Sequence, residues 1–207
     1  MPGAYESHRT YSLAASLISK WEGFRRDVYF DSVGVRTVGY GFTSSLPYWN
    51  AILGAVPLTR EQADRFLILA LEDEFLPALS QMTSPDAVDA PHKAAALTSW
   101  MYNVGKGAAS SSTLIQLLNK GKEEEAEVEL LKWVYAGGEV VSGLVSRREA
   151  ERRMMERDEM GRAIPTTFNT DPESVPVAGI ETLPEETGIE SLDLDLPGYL
   201  SGPLSSR

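Results

Sequence analysis

Glu22, Asp31 and Thr37 are the side chains whose types and spacing suit acid–base chemistry. The glutamate closes an apolar helical stretch, the aspartate sits in turn-forming sequence, and the threonine lies in a strand-like run. Glycosidic cleavage needs two carboxyl groups: one protonates the leaving oxygen, the other activates water or stabilises positive charge on the sugar. The acid must hold its proton more tightly than free glutamate, and partial burial beside aromatic groups such as Trp21 and Phe24 does that. Asp31, at an exposed turn, is expected to stay ionised, and Thr37 to hold the water that Asp31 activates. By themselves the three residues also suit ordinary local roles in a helix end, a turn and a strand.

The elements that must position them can be read from periodicity. Leu13, Ala14, Leu17, Ile18 and Trp21 repeat at helical spacing, which predicts a helix from Ser12 to about Gly23, after a loose arm over residues 1–11. Val28, Tyr29 and Phe30, turn chemistry at 31–34, and Val38, Tyr40 and Phe42 at spacing two predict a β-hairpin over 27–42. Centred on position 34, it pairs residues whose numbers sum to 68, so Asp31 faces Thr37 at about 5 Å. Gly39 and Gly41, interleaved in the returning strand, suggest close approach of the backbone to another group. Thr59-Arg60-Glu61-Gln62 fits a capping box, and the helix it opens carries Ala63, Phe66, Leu67, Ala70 and Leu71 until Pro77 ends or kinks it. A linker over 80–91 precedes helices at 94–102, 113–118, 124–135 and 144–155, with a loop at 103–111 and a break at Gly137–Gly138.

Composition removes other chemistries. The 207 residues contain no cysteine, which excludes disulfides, thiolate metal sites and cysteine nucleophiles. His8 and His92 have no metal-ligand spacing and read as surface residues; no metal and no cofactor are expected. A net charge of −11 argues against nucleic-acid binding, and no apolar run is long enough to span a membrane or to read well as a cleaved signal. Much of the acidity lies in residues 163–207, which hold eight acids, one base and six of the 12 prolines. That tail should not form its own core. It carries a small repeat at 179–183 and 188–192, and the alternating stretch 192–196 could add as a strand to a partner. The charged run 123–129 reads as a solvated face, and the Arg/Glu-rich helix after Arg147 as a set of intrahelical pairs.

W-E-G-F-R-R-D-V-Y-F-D-S-V-G-V-R-T-V-G-Y-G-F-T, residues 21–43, resembles the active-site segment of phage-type lysozymes, glycoside hydrolase family 24. M-Y-N-V-G-K-G (101–107), S-S-T-L (111–114), K-W (132–133), A-G-G (136–138) and G-L-V-S-R-R-E-A-E-R (143–152) look like the same family's helical lobe in the same order. The likeness spans about residues 12–157. It implies an α+β, lysozyme-like domain over 12–162, with a small hairpin lobe, a larger helical lobe and a sugar cleft between them. It also implies hydrolysis of the β-1,4 bond between N-acetylmuramic acid and N-acetylglucosamine in peptidoglycan, generally with inversion. Glu22 is then the general acid, Asp31 the residue that positions or activates water, and Thr37 its helper. An arginine of the last helix pairs with the glutamate in relatives; Arg147 or Arg148 is the candidate, Arg147 being favoured. Tyr102, Asn103 and Thr113 fall where the helical lobe borders the cleft, though capping, loop hydrogen bonds or packing also suit them. Gly39, Tyr40 and Gly41 would present backbone to the sugar, while Trp133 matches a core residue. One departure is Phe42, where the family usually has a histidine in a structural ion pair; packing should replace that pair.

Two rivals accompany this reading. A lytic transglycosylase needs only the acid, and Asp31 and Thr37 favour hydrolysis over it. A virion-associated protein docked through residues 163–207 is the other, set against a free endolysin released by a holin-type route.

Overall fold

The computed structural model describes residues 4–31 and 33–156, with side chains from His8 onward. Segment 163–207, with its repeat and its alternating stretch, lies outside the described residues. Helix α1 runs from Ala4 to Glu22. It begins eight residues before the expected start, so the segment read as a loose arm is helical from Ala4. The apolar stripe that marks the helix begins only near Leu13, whereas extending a formed helix through polar residues adds a hydrogen bond for each residue fixed and avoids the cost of nucleation.

Strands β1 (Arg25–Phe30) and β2 (Arg36–Gly39) form an antiparallel hairpin. Helix α2 spans Trp49–Gly54 and α3 spans Arg60–Ala70. The capping box that opens α3 is complete: Gln62 N–H donates to Thr59 Oγ1 at 3.1 Å, and Thr59 N–H donates to Gln62 Oε1 at 2.9 Å. Pro77 does not end this helix. The chain widens into a π turn at Leu71–Phe75 and continues as α4, Leu76–Met82. A proline has no N–H to donate, and its ring crowds the carbonyl four residues back, so a wider turn just before it relieves both problems.

The expected linker contains a 3₁₀ turn, Pro85–Val88, before α5, Pro91–Val104. Pro91 occupies the first turn of α5, where its missing donor costs nothing. His92, expected at the surface, is therefore inside the helix and 4% exposed, whereas His8 is exposed. The expected loop 103–111 holds a short helix α6, Lys106–Ser110. Helix α7 occupies Thr113–Leu118 as expected. Helix α8 stops at Leu130 after starting at Glu123, and the chain then forms a second ribbon, β3 (Tyr135–Ala136) and β4 (Glu139–Val140), around Gly137 and Gly138. Both glycines have positive φ, as a two-residue hairpin turn requires. Helix α9 spans Ser142–Met155.

Two apolar clusters fill this α+β body. One gathers Leu97, Trp100, Met101, Leu114, Ile115, Leu118, Leu130, Met154 and Met155 from the later helices. The other gathers Ile18, Val38, Tyr40, Phe42, Ile52, Leu58, Phe66, Leu67 and Leu71 around the hairpin and α3. Helices α1 and α5 serve both, since Leu17 and Leu97 face the first cluster while Ala14, Ile18 and Ala95 face the second. Trp133 packs edge-on against Trp100 at 5.3 Å, the packing role expected of it. Phe42 is 1% exposed and meets Tyr40 and Phe66 edge to face, with ring centroids 6.2 and 6.4 Å away. Apolar contact thus occupies the position at which the resemblance expects an ion pair.

Gly39 lies against the Phe42 ring with φ +67°, and a Cβ there would overlap ring carbons Cε2 and Cδ2. Gly39→Ala is expected to destabilise the fold by about 2 kcal/mol or more, since the ring cannot retreat and the left-handed backbone costs a further ~1 kcal/mol for a non-glycine residue. The denaturant midpoint reads the loss; an unchanged midpoint would contradict this packing.

Candidate active site

Glu22 is the last residue of α1, and Gly23, at φ +68°, turns the chain directly into β1. Its side chain is 22% exposed. The corner after it is held by Phe24, whose ring lies 5.8 Å from that of Tyr40 and beneath the Arg60 guanidinium at 5.0 Å. Tyr40 in turn donates its hydroxyl hydrogen to Asp64 Oδ1 at 2.7 Å and accepts from Arg60 Nη1 at 3.3 Å. Burial first, and the Asp64 hydrogen bond second, push the Tyr40 phenol up to about 12.

The hairpin folds back one residue earlier than its turn sequence suggests. Tyr29 pairs with Thr37 and Phe30 with Arg36, so partner numbers sum to 66. Asp31 therefore faces Val35, not Thr37. Gly34, at φ +81°, supplies the left-handed residue of the tight closure. Asp31 Oδ1 accepts the N–H groups of Val33 and Val35, at 3.0 and 2.8 Å, leaving its second oxygen outside this turn. Thr37 is 3% exposed and donates to the Val35 carbonyl at 3.0 Å. Asp31 and Thr37 are thus joined through one residue: the aspartate holds the amide of Val35 and the threonine holds its carbonyl. Further along, the register shifts between Arg25 and Tyr29, and the Arg26 carbonyl instead accepts from Leu58 N–H at 2.8 Å. Such a bulge re-aims the end of a hairpin.

Strand β2 stops at Gly39, and the expected alternation through Phe42 becomes a tight turn. Val38 and Phe42 exchange both backbone hydrogen bonds, at 3.1 and 2.9 Å. Gly39 and Gly41 both have positive φ, which lets the loop between them close. The turn carries Gly41 to Glu22, where a Cβ on Gly41 would sit 3.7 Å from Glu22 Oε2. Gly39 and Tyr40 were expected to offer backbone to a ligand. They are buried instead: Gly39 faces Phe42, and the Tyr40 carbonyl accepts the Tyr102 hydroxyl at 2.8 Å. Of the three, Gly41 alone reaches the carboxyl. Tyr102 packs its ring on Phe75 at 4.8 Å, and burial pushes its phenol up, with the charge of Glu22 adding to the effect. It ties α5 to the turn that faces Glu22.

On α9, Arg147 is 3% exposed and donates from Nη1 to Glu22 Oε1 at 2.6 Å, from Nε to Glu151 Oε1 at 3.1 Å and from Nη2 to the Ser99 carbonyl at 3.0 Å. Arg147, and not Arg148, is therefore the partner of Glu22. Arg148 pairs through Nε with Glu151 Oε2 at 3.0 Å and through Nη2 with Asn103 Oδ1 at 2.9 Å. Glu151, fully buried, also accepts from Ser99 Oγ at 2.8 Å. Burial pushes its carboxyl up, opposed by both guanidiniums, and pulls the Arg148 guanidinium down to about 10. The sequence reading of intrahelical pairs fits the Arg147–Glu151 and Arg148–Glu151 contacts, but it singled out neither Glu151 nor Ser99 as a partner of the site. The signal was the sequence Arg147-Arg148-Glu-Ala-Glu151, in which spacings of three and four align two cations with one carboxylate on a single helix face.

Asn103 is exposed and serves Arg148. Thr113 is exposed at the start of α7, where the cap is Ser112, whose Oγ accepts from Ile115 N–H at 3.2 Å. No contact of Thr113 reaches the Glu22 cluster. A groove of about 720 Å³ lies elsewhere, between Thr10 and Tyr11 of α1, Leu76 and Leu79 of α4, and Ala94 of α5. Thr10 precedes Glu22 by twelve residues, roughly 18 Å along a helix. None of the residues expected to do chemistry lines that groove. Arg147→Met should lower stability by about 3 kcal/mol, because it leaves Glu151 and Glu22 without a shared cation. A urea midpoint that does not move would show the pair to be energetically idle.

The Phage lysozyme family model matches residues 19–151. The endolysin of Bacillus phage B103 is 36% identical over 141 residues, covering 67% of this chain, which spans about half (51%) of that relative's length. A SAR-endolysin of bacteriophage PS119 is 36% identical over 132 residues, covering 63% of this chain and 74% of the relative. A crystal structure of a P22 lysozyme variant superposes with a TM-score of 0.59 at 28% identity, covering 70% of this chain and 95% of that one. The matched span runs from the end of α1 to Glu151, and so takes in the helix-end carboxyl, the hairpin and the buried arginine that reaches it: the chain belongs to the phage lysozyme family.

Proposed function

We propose that this protein is a muramidase, hydrolysing the β-1,4 bond between N-acetylmuramic acid and N-acetylglucosamine of bacterial peptidoglycan during phage-mediated lysis. The observation that carries the reading is Glu22: a helix-end carboxyl, part exposed, clamped by a buried arginine and set against the turn that ends the hairpin of Asp31 and Thr37. The names of its relatives, endolysin and lysozyme, agree with it.

In this mechanism Glu22 gives its proton to the glycosidic oxygen as the bond to the anomeric carbon breaks. The Asp31 oxygen not held by the turn takes a proton from water attacking the opposite face of the sugar. Thr37 already spends its hydroxyl hydrogen on Val35, so it helps by accepting from that water. Water entering opposite the leaving group gives inversion. Gly41 borders the acid, while Tyr102, Asn103 and Arg147 support the wall behind it and Gly39 and Tyr40 the turn itself. Thr113 belongs to the sugar-binding surface, on its exposure and its place in the family resemblance. No helix among the described residues is long and apolar enough to cross a membrane. Residues 163–207 are the segment through which a virion protein would hold the enzyme. Their deletion separates the cases: a free endolysin keeps its lytic activity, whereas a virion-held lysozyme disappears from purified particles.

Glu22→Gln keeps the shape and removes the transferable proton. It is expected to fold and to lower release of reducing ends from peptidoglycan at least 100-fold, as loss of a general acid does. Muropeptide mass spectrometry reads the products: reducing ends mean hydrolysis, and anhydro ends mean a lytic transglycosylase. Undiminished clearing by the variant would overturn the assignment.

A further inference from the structure

Behind Glu22 lies a charge cluster larger than one ion pair requires. Glu22, Arg147, Arg148 and Glu151 form a chain of contacts with two negative and two positive charges. Three of its four side chains are almost completely buried, at 4%, 0% and 0% exposure for Arg147, Arg148 and Glu151. Burying that much charge is expensive, and well-packed apolar residues of the same volume are often as stable or more so. Stability alone therefore does not account for it.

We infer that Glu151 is a positioning residue for Glu22, acting through Arg147. This rests on the muramidase reading, since it gives the acid of that reaction its support. The geometry has two consequences. First, Glu151 Oε1 takes the Nε of Arg147 while the Ser99 carbonyl takes Nη2, so the guanidinium is held at two corners and its remaining Nη1 is aimed at Glu22. A planar fork fixed in this way places the Glu22 carboxyl. Second, Glu151 balances charge. A proton donor must hold its proton at working pH, and a neighbouring cation opposes that. Glu151 supplies the compensating negative charge, and its acceptors face Ser99 Oγ, Arg147 Nε and Arg148, donors suited to a carboxylate. Groups that face Glu22 from the packed elements are Arg147 and, farther off, Arg148 on α9, Tyr102 on α5, and uncharged Gly41 of the turn after β2. Without Glu151, two guanidiniums bear on one carboxyl.

The test uses the full chain, with wild type, Glu151→Gln and the double variant Arg148→Gln/Glu151→Gln. The double variant removes one cation with one anion and keeps Arg147 paired with Glu22. Release of reducing ends from peptidoglycan is followed from pH 4 to 9, with kcat and KM separated at each pH and thermal unfolding recorded beside them. For Glu151→Gln the expected result is a kcat at neutral pH reduced about tenfold, little change in KM, and an alkaline limb moved to lower pH by about one unit, because ionised Glu22 is favoured once the balance is lost. The double variant should return the alkaline limb to its wild-type position while kcat stays low, since a neutral amide oxygen holds Arg147 Nε more weakly than the carboxylate does. If Glu151→Gln does not fold, the double variant decides by itself: a wild-type limb with lowered kcat supports the inference, and wild-type kcat overturns it. A Glu151→Gln profile superposable on wild type, with only the melting temperature lowered, marks a structural role and overturns the inference alone. A wild-type protein that releases no reducing ends overturns the muramidase reading, and the inference with it.

Discussion

The Arg147 guanidinium is the constraint on which the rest depends. It sits inside the protein with three different acceptors, on α1, on α5 and on its own helix. A buried arginine cannot shed its charge and cannot be left unpaired. Its position therefore dictates how α9 lies against α5, and where the end of α1 must stop for Glu22 to reach Nη1. Leu17, Trp100, Met101, Met154 and Met155, gathered in one cluster, provide the apolar contact that holds these helices while the charges settle. The stabilising free energy comes mainly from that apolar contact, and the charges decide the geometry.

A second constraint is backbone economy in the hairpin. Asp31 and Thr37 satisfy the backbone groups of Val35, which holds the tip by its own hydrogen bonds. Asp31 forms the turn through one carboxylate oxygen and leaves the other outside it. The turn after β2 works similarly. Two left-handed glycines allow Val38 and Phe42 to close on each other, and the closure brings Gly41 against the acid. Small residues there answer to φ and to the Phe42 ring as much as to any ligand.

Much of the architecture was legible because it is local. The capping box before α3, its buried face, helix α7 and the glycine break before α9 all follow from short-range patterns, and the structure has each of them. Elements too short or too polar to show an apolar period were missed: the polar first turns of α1, short α6, and the β3–β4 ribbon, whose glycine pair was read only as a break. The hairpin register was off by one residue on each strand because closure at Asp31–Val35 depends on hydrogen bonds to a side chain, which periodicity does not record. His92 went astray because a proline before it looked like a linker, although the same proline opens α5.

The sequence by itself determined the composition of the site: a carboxyl at a helix end, a second in a turn, a threonine on the return strand, and an arginine-rich last helix whose residue order matches a family. Only the tertiary structure decided which arginine reaches Glu22, that Glu151 and Ser99 stand behind it, and that Gly39 and Tyr40 face inward. The physical reason is range. Propensity and periodicity act over a few residues, whereas Glu22 and Arg147 stand 125 positions apart and meet only after packing has removed the water between them.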